Sequence, residues 1–168
     1  MVGTVSDLTR ATSARTGLRA TFIEQRARII QSAGLLPVAT GKQHVAAKPR
    51  HLVHLLFSIA AARVRTAPHI VGQISELERI QTGERASDAV EQWIGFVWQG
   101  DSASRRQALT IVEHPRLEVI LAANHYYPVG EIMDIRGPLD MRRSIDVPGK
   151  VIAAIGADLG FKGCANAA

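Results

Sequence analysis

Thr16-Gly17-Leu18-Arg19-Ala20-Thr21-Phe22-Ile23 is the stretch on which the reading of this chain turns. Gly17 supplies the left-handed backbone that a tight turn between two helices needs. Before it, Leu8, Ala11 and Ala14 recur at helical spacing over residues 6–15. Thr4 or Ser6 serves as N-cap there, with Asp7 at the positive end of the helix dipole. After it, Leu18, Phe22, Ile23, Ala27 and Ile30 form one apolar stripe, which predicts a helix over residues 19–33 that Gly34 stops. Arg19, Gln25, Arg26 and Arg28 fall on or near the remaining surface of that helix.

Outward from this pair, Leu35-Leu36-Pro37-Val38 reads as the start of a strand, residues 40–44 as a hairpin tip and Val45-Ala46-Ala47 as the return. Pro49 suits the first turn of a helix running to about residue 64, with Leu52, Leu55, Leu56, Ile59 and Ala60 inward. Helices are expected next over residues 68–81, with Ile70, Val71, Ile74, Leu77 and Ile80 inward, and over 88–98, around Trp93, Ile94 and Val97. Residues 100–106 are small and polar, which predicts a surface loop. The pattern then changes to the alternating, β-branched kind: residues 108–113, 117–121 and 131–135 predict two or three strands of a meander. A closing helix follows Pro148, carried by Val151, Ile152, Ile155 and Leu159. The expected fold class is α+β, a winged helical part followed by helices and a small antiparallel sheet with a C-terminal helix. Its expected division is residues 1–66 and 67–168.

Composition narrows what such a chain does. At 168 residues, 46% apolar and 21% charged, it is long enough to bury about two-thirds of its unfolded surface. Charge is segregated: residues 1–65 carry ten Lys/Arg against Asp7 and Glu24, whereas residues 66–168 carry ten against thirteen Asp/Glu. A basic half joined to a mildly acidic one suits a polyanion-binding module with a second part attached. The single cysteine, Cys164, cannot close an internal disulfide and fits a reducing compartment. No basic and apolar leader opens the chain, and no run reaches the ~18 apolar residues of a membrane span. A cytoplasmic location is expected, with no membrane partner.

Catalytic and metal chemistry lack a constellation. His51 and His54 stand three apart on one expected helix, but no Cys pair or His-Glu-x-x-His spacing accompanies them, so no metal and no cofactor is expected. There is no phosphate-cradling glycine loop and no Gly-x-Ser-x-Gly elbow, which argues against an enzyme. Tyr126-Tyr127 have the faces to stack on bases, although tyrosines at a strand end more often pack.

The spacing of Ser13, Gly17, Leu18 and Ile23 meets the steric demands of a helix-turn-helix: a small residue, a turn glycine four later, then apolar residues one and six beyond it. The position nine beyond the glycine is also expected to be apolar, and there this chain has Arg26. With Gly34-Leu35-Leu36-Pro37 leading out of the long helix, residues 5–65 resemble winged helix-turn-helix DNA-binding proteins of the MerR-like or phage and prophage type. That resemblance implies a regulator of transcription that binds double-stranded DNA, commonly as a homo-oligomer. Arg19, Thr21, Gln25 and Arg26 would then face the groove, while Arg15, Lys42, Lys48 and Arg50 would contact phosphates. Two alternatives stay open: a phage assembly component such as a small terminase-like DNA-packaging subunit forming a ring, and a protein-binding adaptor or inhibitor with no DNA role.

Overall fold

The computed structural model describes residues 3–38, 44–114, 117–129 and 143–164. Among these residues the fold is α+β, with seven α-helices and one four-stranded antiparallel sheet. Helix α1 spans Val5–Thr16 and α2 Ala20–Ser32. Thr4 and Asp7 close the start of α1 reciprocally: Asp7 Oδ2 accepts from the Thr4 N–H at 2.8 Å, and Thr4 Oγ1 accepts from the Asp7 N–H at 3.2 Å. The Thr4 N–H, and then the Thr4 hydroxyl donating to the same Asp7 oxygen at 2.8 Å, hold the Asp7 carboxyl below the usual carboxylate range. Gly17 ends α1 at φ 71°, its N–H donating to Ser13 O at 3.1 Å.

Helix α3, Pro49–Ala60, is the hub. Leu52, Val53, Leu55, Leu56, Phe57, Ser58, Ile59 and Ala60 are all buried, because α2, α4 (Ala67–Ser75) and α5 (Ala86–Gln99) pack round it and strand β1 (Ala108–His114) closes the remaining side. A helix that is apolar all round needs such a jacket. It stops four residues short of the expected residue 64, since Ala61 turns extended and a 3-10 turn, Val64–Thr66, follows.

Helix α4 is also shorter than its apolar spacing suggests. After Ser75 the chain turns to pair with other backbone: the Glu78 N–H donates to Tyr127 O and the Tyr127 N–H to Glu78 O, both at 2.9 Å. Ile80, expected inward, is therefore 67% exposed on the turn that returns to Ala86. Residues 102–105 form a helical turn, α6 (Ser102–Arg105), where a loop was expected. Asp101 Oδ2 accepts from the Ser104 N–H at 2.6 Å, and Ser104 O accepts from Trp93 Nε1 at 2.9 Å.

The sheet order is β3-β2-β1-β4, with β2 at Glu118–Leu121, β3 at Asn124–Tyr126 and β4 at Arg143–Pro148. Leu109 stands opposite Leu121 and Val147, and Ile111 opposite Val119, so one apolar face meets the helices. The strand expected at residues 131–135 lies outside the described residues. Helix α7, Gly149–Asp158, returns along α5 and reaches α1.

That return matters for the N-terminal part. The Gly3 N–H donates to Leu159 O at 2.7 Å, and Arg15 grips Asp158 with two bonds of 2.6 and 2.8 Å. The residue 66/67 boundary expected from the sequence runs through one continuous hydrophobic cluster, which includes Leu8, Ile23, Leu56, Ile94, Leu109 and Leu159.

Close packing of α5 on α7 gives a test. Gly156 sits in mid-helix, where alanine is ordinarily better by about 1 kcal/mol. A Cβ there would lie 2.5 Å from Trp98 Cδ1 and 2.8 Å from both Trp98 Nε1 and Cys164 Sγ. The indole cannot retreat: its Nε1 donates to Ile152 O at 3.1 Å and its ring stacks on Phe161 at 4.3 Å. Gly156→Ala is expected to destabilise by roughly 1–3 kcal/mol, the cost of an overpacked core. A thermal melt with an unchanged or raised midpoint would contradict this packing.

Candidate nucleic-acid interface

The turn at Gly17 and the packing of α2 determine which side chains of that helix reach solvent. Ser13 Oγ donates to Leu18 O at 2.8 Å, which ties the end of α1 across the turn. Ile23, Ala27 and Ile30 are buried, as their spacing requires. Thr21, Glu24, Gln25, Arg28 and Ser32 are exposed, at intervals of three, one, three and four residues. They form one stripe along the helix, and Arg19 stands exposed at its start.

Arg26 is not part of that stripe. It is 1% exposed, so the expectation that it faces a groove is corrected. Its Nε donates to Ser58 O at 2.9 Å and its Nη2 to Ala61 O at 2.6 Å. Its guanidinium carbon lies 3.8 Å from the centre of the Phe22 ring. Carbonyls at a helix C-terminus lack intrahelical partners and carry the negative end of the dipole. Arg26 supplies donor and charge at the end of α3, where Ser58 O otherwise accepts from the Ala61 N–H at 3.3 Å. The position nine beyond Gly17 is thus buried, as the helix-turn-helix pattern asks, but a guanidinium fills it. Arg28, which the residue-by-residue assignment of groove contacts left out, is the exposed arginine of this helix.

The expected phosphate contacts are scattered. Arg15 is held by Asp158 of α7, and Arg50 by Glu91 of α5 at 3.0 Å. Lys48 is exposed at the start of α3, where its backbone N–H donates to His51 Nδ1 at 3.2 Å. Lys42 lies outside the described residues, as does most of the expected hairpin tip at 40–44. The described flanks of that tip are not paired with each other: Ala46 bridges Thr4, and the Val5 N–H donates to Val45 O at 3.1 Å.

Between α1, α2 and the chain around Pro37 and His44 lies an open groove of about 680 Å³. Its charged lining is mixed, with Arg10, Arg28 and His44 against Glu24, and Arg10 is already paired with Asp7 at 2.6 Å. Among the described residues no group of three or more His, Cys, Asp or Glu is placed to hold a metal ion. His51 accepts from Lys48, and His54 Nδ1 donates to Leu35 O at 2.6 Å. Burial, followed by the Lys48 charge, pushes the His51 pKa down. Tyr126 is a packing residue rather than a stacking platform: it is 1% exposed and donates to Glu84 Oε2 at 3.1 Å. Its pKa is pushed up to about 12, chiefly by burial and then by the Glu84 charge.

Set against these, the side chains of Arg19 and Arg28 have no hydrogen-bond or ion-pair partner among the described residues, while Arg10, Arg15, Arg50 and Arg85 each hold a carboxylate. No helix among the described residues is long and apolar enough to cross a membrane. Comparison with family models, curated proteins and solved structures finds no match to this chain.

Proposed function

We propose that the chain binds double-stranded DNA through the exposed face of α2, in the manner of a transcriptional regulator. The observation that carries this reading is the pair Arg19 and Arg28, whose side chains have no partner among the described residues, set on one helix with Thr21 and Gln25. An arginine without a carboxylate keeps its fork of donors for a ligand, and guanine O6/N7 or phosphate accepts from it bidentately. Gln25 has the groups to read adenine N6/N7. Glu24, inside the same stripe, is repelled by phosphate but accepts from the cytosine amino group. This mixture suits base edges in a major groove better than a backbone track. A dimer fits the reading, because two-fold symmetry presents two such helices to paired half-sites.

Titration of a mixed-sequence duplex at about 50 and about 200 mM salt tests it, because each neutralised phosphate adds about −0.9 to the slope of log K against log salt. Binding that weakens steeply with salt is the expected result. No binding at the lower salt, or binding indifferent to salt, would overturn the proposal.

A further inference from the structure

The chain between α3 and α4 is fixed from both sides. Ala61 O accepts from the buried Arg26 of α2, and the Ala62 N–H donates to Glu113 Oε1 of β1 at 2.9 Å. The following 3-10 turn, Val64–Thr66, packs against α2 and α4. Thr66 closes it, its N–H and its Oγ1 donating to Arg63 O at 3.1 and 2.9 Å. Two arginines emerge from this small platform. Arg63 and Arg65 are exposed, and neither side chain has a hydrogen-bond or ion-pair partner among the described residues. In sequence the nearest Asp or Glu is Glu24 on one side and Glu76 on the other, and the Glu113 carboxylate that the fold brings to the segment accepts from the Ala62 N–H.

We infer that Arg63 and Arg65 form a second DNA contact, a phosphate clamp beside α2; this inference rests on the DNA-binding reading above. Two features assign phosphate rather than bases to these residues. A 3-10 turn of three residues presents no helix or ribbon to enter a groove, and two arginines two residues apart supply paired forks for backbone oxygens. Arg26 gives the clamp its register: by holding Ala61 O from α2, it fixes the segment relative to the base-reading helix. A rigid offset between a base-reading helix and a phosphate contact is what sets a protein's orientation on a duplex.

The test compares four proteins in duplex titrations over a salt series: wild type, Arg19→Ala, the double variant Arg63→Ala/Arg65→Ala, and a charge-matched control, Arg106→Ala/Lys150→Ala, whose two residues are exposed in the C-terminal half. Thermal melts accompany each. The Arg63/Arg65 variant is expected to melt with wild type, to lower the magnitude of the salt slope by about 1.8, and to bind roughly tenfold or more weakly near 0.15 M salt. The control, which loses the same net charge, is expected to keep the wild-type slope. If Arg19→Ala weakens binding while Arg63→Ala/Arg65→Ala matches the control, the clamp is wrong and the α2 reading stands. If wild type does not bind duplex at low salt, both fall together. If the Arg63/Arg65 variant melts earlier than wild type, the arginines belong to the fold and the clamp is refuted.

Discussion

Arg26→Ala is expected to destabilise the chain by about 3 kcal/mol, the largest effect of any single arginine. Opposed contributions combine in this figure. Ala61 O loses its charged donor, at about 1–3 kcal/mol for a buried group left unsatisfied, and Ser58 O loses one too but keeps the Ala61 N–H at 3.3 Å. The contact with the Phe22 ring adds about 1–2 kcal/mol where water is excluded. Against this, a buried guanidinium has itself been desolvated, and its removal recovers part of that cost. Arg26→Met separates volume from charge: it fills most of the space but removes the donor to both carbonyls, so its loss is expected to fall between wild type and alanine. Urea unfolding is the measurement, with the midpoint moving and the slope m unchanged. A shift of Arg26→Ala worth less than about 0.5 kcal/mol, the range of ordinary surface substitutions, would sink the buried-cap assignment.

Arg26 also shows what was legible in the sequence. Its residue type points it to solvent and a groove, and the fold buries it. Sequence alone cannot show this, because the two carbonyls that accept the guanidinium come from residues 32 and 35 places later. Local signals fared well elsewhere. The Thr4 cap, the Gly17 stop and the Pro49 and Pro148 starts are each set by residues within one turn, and each stands where it was read. Failures cluster where a non-local pairing overrides a local pattern. Leu77 and Ile80 continue the apolar spacing of α4, but the Glu78 backbone is claimed by Tyr127. The hairpin between β2 and β3 turns on Ala122 and Ala123, at φ 50° and 64°. Two-residue turns of this kind normally declare themselves through Asn-Gly or Asp-Gly, and two alanines give no such sign.

The candidate site was legible in part for the same reason. Arg19, Thr21 and Gln25 follow from the helical period of α2 alone, as does Arg28 once Arg26 is known to point inward. Whether a cation is free or already paired is not a local property. The sequence offers Arg15 and Arg50 as phosphate contacts, and only the fold brings Asp158 and Glu91 to them. An exposed pair of this kind stabilises by about 0–1 kcal/mol, and a phosphate has to displace its carboxylate before it can bind. Charge counting over residues 1–65 therefore overstates the field available to a polyanion, and the remaining cations carry more of it.

The scarcity of unpaired cations among the described residues sets the size of the second effect. Arg19→Ala/Arg28→Ala is expected to weaken binding to a specific duplex by about 2–4 kcal/mol, since an arginine lost from a base or phosphate contact costs about 1–3 kcal/mol. The fold should survive, because both side chains are exposed and neither bonds to the protein among the described residues. The matched comparison is Arg15→Ala/Arg50→Ala, which removes the same charge from residues 1–65 but from cations already held by Asp158 and Glu91. If affinity followed net charge, the two double variants would weaken binding equally. If it follows the α2 face, Arg19→Ala/Arg28→Ala loses both affinity and discrimination between duplex sequences, while Arg15→Ala/Arg50→Ala keeps its discrimination and loses little affinity. Equal losses with discrimination intact in both would place recognition away from α2 and reduce its exposed stripe to a solvated helix face.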